Sequence, residues 1–204
     1  MKFPIYLDYA ATTPVHDLVI DKMMPYFQQK YGNSGSQQHV FGWEAEEVVE
    51  QSRAIIAHYF QVKSRQVIFT SGATESNNLA IQGYLKGFNT PGHLITCSTE
   101  HKAVLEVFKH LESQGWELTY LSVDSDGQIS LDELKNSIQV NTHLISIMWV
   151  NNETGTIHPI QEICSIAKAN QIVFHCDATQ ALGKVDLHVQ DLPDLISFSA
   201  HKIY

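Results

Sequence analysis

"QIVFHCDATQ", residues 171–180, is an apolar run that ends in an aspartate followed by small and polar residues. Isoleucine, valine and phenylalanine in so short a run are typical of a buried β-strand, which we predict over residues 171–176. Asp177 then lies at the buried end of that strand, where a carboxylate is costly unless it meets a cation. The alternative is that Asp177 caps a helix, because aspartate is a favoured N-cap residue.

Other short apolar runs and longer amphipathic stretches alternate along the chain. Stretches 43–60 and 102–113 have apolar residues at helical spacing. Strands that are apolar throughout and alternate with helices indicate a mostly parallel sheet. We therefore predict an α/β fold, with helices on both faces of that sheet. Besides 171–176, the predicted strands are residues 66–70, 93–97, 117–123, 143–150 and 195–199.

Small, polar or ionisable residues follow five of these six runs. Ligands of such sheets bind outside the carboxyl ends of the strands. One such ending would be an ordinary loop, but five together predict a binding site at one edge of the sheet. The segments are "SGATES" after 66–70, "STEH" after 93–97, "NNETG" after 143–150, "DATQ" after 171–176 and "AHK" after 195–199.

Composition excludes several other classes of protein. The 204 residues are 44% hydrophobic and carry a net charge of −9, so a nucleic-acid partner is not expected. The apolar runs are too short to span a membrane, and the start does not resemble a signal peptide. Cys97, Cys164 and Cys176 are odd in number and show no C-x-x-C spacing, which favours a reducing cytoplasm.

No metal site is predicted. Residues 122–133, "SVDSDGQISLDE", match a calcium loop at several positions, but Ser122 stands at the first ligand position. Ser130 and Glu133 are spaced as a helix capping box, which explains the acidic end of this stretch. The histidines show no H-E-x-x-H spacing.

Two further segments suggest what the predicted site binds. "TSGATESN", residues 70–77, runs through Gly72 into a predicted helix whose N-terminus could hold a phosphate, with Thr74 as an added donor. Taken alone, a cap in a tight turn is the better interpretation. Lys202 follows the last strand, where partial desolvation would make its amine a nucleophile toward carbonyls. A lysine, an aspartate and a helix N-terminus are what pyridoxal phosphate (PLP) requires.

Seven stretches of the chain together resemble one family. They are "YLDYAATTP" (6–14), "GNSGSQQHVFGWEA" (32–45), "FTSGATESNNLAI" (69–81), "TEHKAV" (99–104), "VNNETG" (150–155), "FHCDATQALGK" (174–184) and "SFSAHKIY" (197–204). In this order they resemble the N-terminal half of cysteine desulfurases of the NifS/IscS kind, in the class V aminotransferase branch of fold-type I PLP enzymes. The resemblance implies a PLP-binding large domain over 16–204, preceded by a segment, 1–15, that leads toward the substrate side. It also implies that this domain is incomplete at its C-terminus and that the smaller domain is absent.

The resemblance implies a role for each site residue. Lys202 is expected to be the Schiff-base lysine, Asp177 to pair with the pyridine nitrogen, and His101 to lie on the ring face and relay protons. These three are the expected catalytic residues. The remaining expected contacts are Asn152 and Gln180 to the phenolic oxygen, Ala73 (through its backbone), Thr74, Ser199 and His201 to the phosphate, and Asn33, Ser34 and Ser36 at the substrate pocket.

The function implied by the resemblance is desulfuration of L-cysteine to L-alanine, with the sulfur passing as a persulfide to an acceptor protein, for iron–sulfur cluster assembly or another sulfur-transfer pathway. A cytoplasmic homodimer is expected. In the family the sulfur-accepting cysteine lies beyond the PLP lysine, so Cys97, Cys164 and Cys176 are expected to be structural. Residues 1–204 alone are therefore expected to be inactive. The alternatives are a noncatalytic or partner-dependent PLP-domain fragment, and another class V enzyme such as a selenocysteine lyase.

Overall fold

The computed structural model describes residues 4–187 and 192–204. Its contacts group the chain into two compact units. The first unit holds the described residues of Met1–Thr13 and Thr70–Ile203, and the second holds Pro14–Phe69 with Tyr204. The predicted division of the chain after residue 15 stays a prediction.

The first unit is built on a parallel sheet. Its described strands have the spatial order β2-β1-β3-β4-β5, and every neighbouring pair is parallel. The chain therefore moves outward from β1 in both directions, which creates a topological switch point between β1 and β3. The strands are β1 (His93–Cys97), β2 (Glu117–Leu121), β3 (Thr142–Ser146), β4 (Val173–Asp177) and β5 (Leu195–Ser197).

Helices cover both faces of this sheet, as predicted. Leu94 and Leu144 pack with apolar residues of α3 and α4 on one face. Ile95 and Ile145 belong to a second apolar cluster with residues of α5 and α6, because alternate residues of a strand point to opposite faces. The helices are α3 (Ala73–Leu85), α4 (Lys102–Ser113), α5 (Leu131–Ser137) and α6 (Ile160–Ala169).

The strand predicted at 66–70 was wrong. Ser64–Gln66 form a short 3-10 turn, and residues 67–70 have no regular structure. The Val67 carbonyl accepts a hydrogen bond from the Arg53 guanidinium instead of from a neighbouring strand. In the described part of the chain no strand pairs with this segment, and an apolar run becomes a strand only where another strand can satisfy its backbone groups.

The second unit is helical. It contains α1 (Asp17–Gln28) and α2 (Val40–Tyr59), the second of which confirms the helix predicted at 43–60. Histidine side chains cap both helices: His16 accepts from the amide of Leu18, and His39 from that of Gly42. Among the described residues, no helix combines the length and apolar character needed to cross a membrane.

The predicted capping box of α5 forms only in half. The Ser130 hydroxyl accepts from the backbone N–H of Glu133 at 3.2 Å. The Glu133 carboxylate does not return to Ser130 but binds the amide and hydroxyl of Ser122, at 3.3 and 2.9 Å. Ser122 thus holds the start of α5 against the end of β2. The described residues contain no group of acidic, histidine or cysteine side chains arranged to hold a metal ion.

Candidate active site

A cavity of about 360 Å³ lies within the first unit, at the carboxyl ends of the strands. The loops after β1 and β3, the ends of β4 and β5, and the first turn of α3 all contribute to its walls, as expected at a switch point. The cavity contains every residue predicted to contact a cofactor. Its walls include Ala73, Thr74, His101, Asn152, Asp177, Gln180, Ser199, His201 and Lys202.

The predicted substrate-side residues belong to the other unit. Asn33, Ser34 and Ser36 precede α2 in the second unit. Asn33 accepts a hydrogen bond from the Gly35 amide at 2.8 Å, which fixes the turn that carries them. Their role at a substrate pocket stays a prediction.

One wall of the cavity is the open N-terminus of α3. Gly72 precedes the helix with φ 154° and ψ 179°, a backbone conformation that is essentially restricted to glycine. The first amides of a helix, here including those of Ala73 and Thr74, have no partner within the helix. Gly72 has no side chain to cap them. The helix dipole adds partial positive charge there. This wall is therefore suited to an anion.

Asp177 forms another wall and is 6% exposed. Its Oδ1 accepts from the amide of Thr179 at 2.9 Å, and its Oδ2 accepts from Asn77 Nδ2 at 2.7 Å. The first bond caps a turn, whereas the alternative prediction was that Asp177 caps a helix. In the described ranges no ion pair includes Asp177. A carboxylate so deeply buried without a countercharge is suited to a cationic N–H group in the cavity.

Buried polar residues behind the cavity were missed from the sequence. The Oδ1 of Asn77, the Oγ1 of Thr179 and the Oε2 of Glu100 are buried and have no hydrogen-bond partner. Burial raises the pKa of Glu100 well above its usual range, although the Met148 amide donates to Oε1 at 2.6 Å. Thr179 also lines the cavity, where its hydroxyl can serve a bound group.

His175 lies two residues before Asp177 on β4 and is fully buried. Its Nδ1 is 2.8 Å from the Ser146 hydroxyl, and its Nε2 is 3.0 Å from the Ser197 hydroxyl. These contacts tie β4 to both neighbouring strands. Burial lowers the pKa of His175 to about 4, against the opposing influence of Asp177.

Replacing His175 by Asn is expected to reduce the loss of stability on acidification. The pKa is 6.5 for the ordinary group and about 4 in the folded protein, so on acidification the unfolded chain takes up a proton before the folded protein does. The contribution of His175 is thus complete above pH 6.5 and is lost as the pH falls through 4. The expected loss is about 3 kcal/mol in the free energy of unfolding. Urea unfolding across this pH range measures it, with His110→Asn on the exposed side of α4 as the control. If the free energy of unfolding fell equally with pH in His175→Asn and in wild type, the prediction would be wrong.

Residues of the N-terminal segment fix the wall that carries Lys202. The carbonyl of His201 accepts from the amide and the hydroxyl of Thr13, at 3.1 and 3.0 Å. The Thr12 hydroxyl is 3.2 Å from His201 Nδ1. Lys202 ends the 3-10 turn Ala200–Lys202 and is half-buried. The lysine is therefore held in place by backbone contacts that are independent of its own side chain.

His101 caps α4 and faces the cavity. Its Nδ1 accepts from the amide of Ala103 at 3.1 Å, so a neutral ring carries its proton on Nε2. Asn152 donates from Nδ2 to Glu153 at 2.8 Å. Gln180 donates from Nε2 to the Ala10 carbonyl at 2.7 Å. These three side chains thus present donor and acceptor groups at the cavity wall.

The three cysteines carry reduced thiols and lie outside the walls of this cavity. Cys97 on β1 and Cys176 on β4 are completely buried in the core. Burial raises the pKa of Cys97, and raises that of Cys176 well above its usual range. Because the thiolate is the nucleophile, both residues are poor sulfur acceptors. Cys164 is partly exposed on α6.

Comparison with known proteins defines the class. The chain belongs to the aminotransferase class-V family, which it matches over residues 5–204. Cysteine desulfurase IscS of Neisseria meningitidis serogroup C (strain 053442) is 53% identical over 206 residues, which cover 100% of this chain and 51% of that protein. The corresponding protein of Buchnera aphidicola subsp. Baizongia pistaciae (strain Bp) is 52% identical and is covered over 52% of its length. The chain thus spans about half the length of these curated relatives.

Solved structures show the same likeness. A NifS-like protein superposes with a TM-score of 0.94 at 38% identity, over 98% of this chain and 56% of that chain. SspA in complex with cysteine superposes with a TM-score of 0.92 at 43% identity, over 98% and 58% of the two chains. The predicted resemblance to NifS/IscS-type cysteine desulfurases is therefore confirmed, and so is the fold-type I architecture.

Proposed function

We propose that the protein containing this chain is a PLP-dependent cysteine desulfurase. The observation that carries the proposal is the buried carboxylate of Asp177, which has no countercharge in the described ranges and shares one cavity with Lys202 and an open helix N-terminus. PLP is the cofactor of class V aminotransferases and cysteine desulfurases. It carries a pyridinium N–H, an aldehyde and a phosphate, for which these three features are complementary.

The residues present fit the cofactor. The amides of Ala73 and Thr74, together with Ser199 and His201, would hold its phosphate. Asp177 would hold the pyridinium proton, and Lys202 would attach to its carbonyl carbon. The orphaned Thr179 hydroxyl supplies an unused polar group at the same wall.

The chain's own residues then perform binding, orientation and proton transfer. When bound, the cofactor supplies an electron sink that stabilises negative charge on the substrate carbon. Asn77 and the Thr179 amide fix both oxygens of Asp177, so the carboxylate meets its partner without reorienting. Lys202 can accept or return a proton at Nζ, and His101 can donate its Nε2 proton into the cavity.

L-cysteine is the substrate we propose. The support is the identity to proteins named cysteine desulfurase IscS and the fold shared with SspA, solved in complex with cysteine. In the reaction the C–S bond of cysteine breaks, the sulfur passes to a thiolate as a persulfide, and protonation of the carbon leaves L-alanine. We further propose a sulfur-acceptor protein as the partner, iron–sulfur cluster assembly as a destination of the sulfur, and a cytoplasmic homodimer as the active form.

Product analysis with the naturally encoded protein tests this function. Incubation with PLP, L-cysteine and a thiol reductant is expected to give alanine and sulfide in equal amounts. L-serine is the matched control substrate, because it differs only in carrying oxygen in place of sulfur. Alanine release without sulfide, or no alanine from a PLP-loaded protein, would refute the proposal.

The cysteines of this chain are expected to be dispensable for turnover. The variant in which Cys97, Cys164 and Cys176 are all replaced by Ser should retain sulfide production per bound PLP, because Cys97 and Cys176 are buried, poor nucleophiles and Cys164 also lies outside the cavity walls. Its free energy of unfolding should fall by roughly 1–3 kcal/mol for each hydroxyl buried without a partner. Sulfide assays and urea unfolding on the same preparation separate the two effects. Loss of turnover in a folded, PLP-loaded variant would show that one of these thiols accepts the sulfur.

A further inference from the structure

The side-chain amide of Gln180 lies between one hydrogen-bond acceptor and one hydrogen-bond donor. Its Nε2 donates to the Ala10 carbonyl at 2.7 Å, and its Oε1 accepts from Lys184 Nζ at 2.9 Å. Gln180 is 7% exposed and lines the cavity. An amide NH2 group has two hydrogens, so one N–H of Gln180 is left after the bond to Ala10. That hydrogen is available to a bound ligand.

A tight turn brings Lys184 back to Gln180. The amides of Ala181 and Leu182 both donate to the Ala178 carbonyl at 3.0 Å, and the Lys184 amide donates to the Ala181 carbonyl at 2.9 Å. Gly183 adopts φ 77°, which favours glycine. A side chain at that position would also meet Ile203 Cγ2 at 2.9 Å. The turn therefore depends on its glycine, and it brings the side chain of Lys184 within hydrogen-bond distance of Gln180.

We propose that Lys184 is a positioning residue that fixes the amide of Gln180 so that the cavity meets its N–H and not its carbonyl oxygen. An ammonium group can only donate, and a backbone carbonyl can only accept. A flipped amide would place its NH2 group against the ammonium and its oxygen against the Ala10 carbonyl. Both contacts would then be repulsive, so the two partners select the same orientation.

The fixed N–H determines what Gln180 can bind. It suits an anionic or strongly accepting oxygen, such as the phenolic oxygen of PLP, and this part of the inference rests on the proposed function. Lys184 is exposed, and its pKa is lowered first by partial burial and then by the like charge of Lys202. A general effect of its charge on Lys202 is thus the competing explanation, and the experiment has to separate the two.

The test compares Lys184→Met with Lys184→Arg in the naturally encoded protein, using PLP as the probe. Lys184→Met is expected to raise the dissociation constant for PLP about tenfold, the value of roughly one hydrogen bond. It should also shift the pH titration of the bound cofactor's visible absorption band. Lys184→Arg should restore both. Lys135→Met removes a cation from an exposed ion pair on α5 and is the matched control, which should change neither.

The Gln180→Leu background separates positioning from charge. If Lys184 acts through Gln180, Lys184→Met should have no further effect on the affinity or the titration in that background. An equal effect there, or unchanged PLP binding by a folded Lys184→Met variant, would overturn the proposal.

A measurement on the cofactor-free protein is independent of the proposed function. The Gln180 side-chain N–H signals, assigned by their absence in Gln180→Leu, should exchange slowly with solvent in wild type and faster in Lys184→Met. Equal exchange rates would refute the positioning role even where PLP binds. Slow exchange that depends on Lys184, in a protein that does not bind PLP, would retain the positioning role and reject the proposed cofactor.

Discussion

Asp177→Asn is expected to retain PLP yet lose most turnover, by about 10²- to 10⁴-fold. An amide is neutral and cannot hold the proton of a pyridinium nitrogen, so the charge that supports the electron sink is lost. The magnitude corresponds to about 3–5 kcal/mol, the usual cost of removing one member of a buried charge pair. The observation behind it is that Asp177 is buried and forms no ion pair within the described ranges.

The measurement is turnover per bound PLP, with cofactor content read from the visible spectrum. Asp194→Asn is the control, because Asp194 also accepts a backbone hydrogen bond beside β4, from the Phe174 amide at 2.9 Å, but lies outside the cavity walls. Turnover near that of wild type in Asp177→Asn would reduce Asp177 to a cap for the turn that follows it. If Asp177→Asn neither folded nor bound PLP, the bond with Asn77 would have a structural role.

The central strands of the sheet could be predicted from the sequence because they are buried on both faces. Such strands are apolar throughout, so the runs at 93–97 and 171–176 are visible without any structural information. The run at 66–70 has the same composition, and only the lack of a pairing strand among the described residues distinguishes it. Composition records that a segment is apolar. It does not show which neighbouring strand forms hydrogen bonds with the backbone of that segment.

Strand ends were harder to predict for a related reason. Residues 144–149 of the run 143–150 are buried, but regular pairing of β3 ends at Ser146. Beyond it, Ile147 and Trp149 donate their amides to the carbonyls of His175 and Asp177, at 3.2 and 3.0 Å. The chain is thus still attached to β4 as it approaches the cavity. Periodicity cannot distinguish this attached segment from a regular strand.

The predicted cofactor contacts all line the cavity, whereas Thr179 in its wall and the residues that support it were not predicted. Asp177 and Lys202 follow apolar runs, a pattern that is local in the sequence. Asn77 is 100 positions from Asp177, and the contact of Lys184 with Gln180 depends on the geometry of a turn. Glu100 stands next to His101, and nothing in the local sequence indicates its burial. Only the structure shows that it is buried and that burial raises its pKa.

Lys202→Ala is expected to abolish turnover and the covalent attachment of PLP. The lysine ends a turn that Thr13 holds through the His201 carbonyl, so the amine is presented to the cavity by a rigid backbone. A second lysine cannot take its place without losing that orientation, and positioning supplies several kcal/mol of a reaction barrier. Even the nearby Lys184 has its ammonium engaged by Gln180.

Borohydride reduction followed by peptide mass mapping tests the assignment directly. Reduction fixes the pyridoxyl group on whichever lysine carries the cofactor, and the remaining lysines of the protein serve as internal controls. The label is expected on the peptide that contains Lys202, and it should be absent from Lys202→Ala, whereas Lys184→Met should still be labelled at Lys202. A pyridoxyl group on any other lysine of the wild-type protein would reject the assignment of Lys202. It would also reject the proposed chemistry, in which Lys202 and Asp177 act on one cofactor in the same cavity.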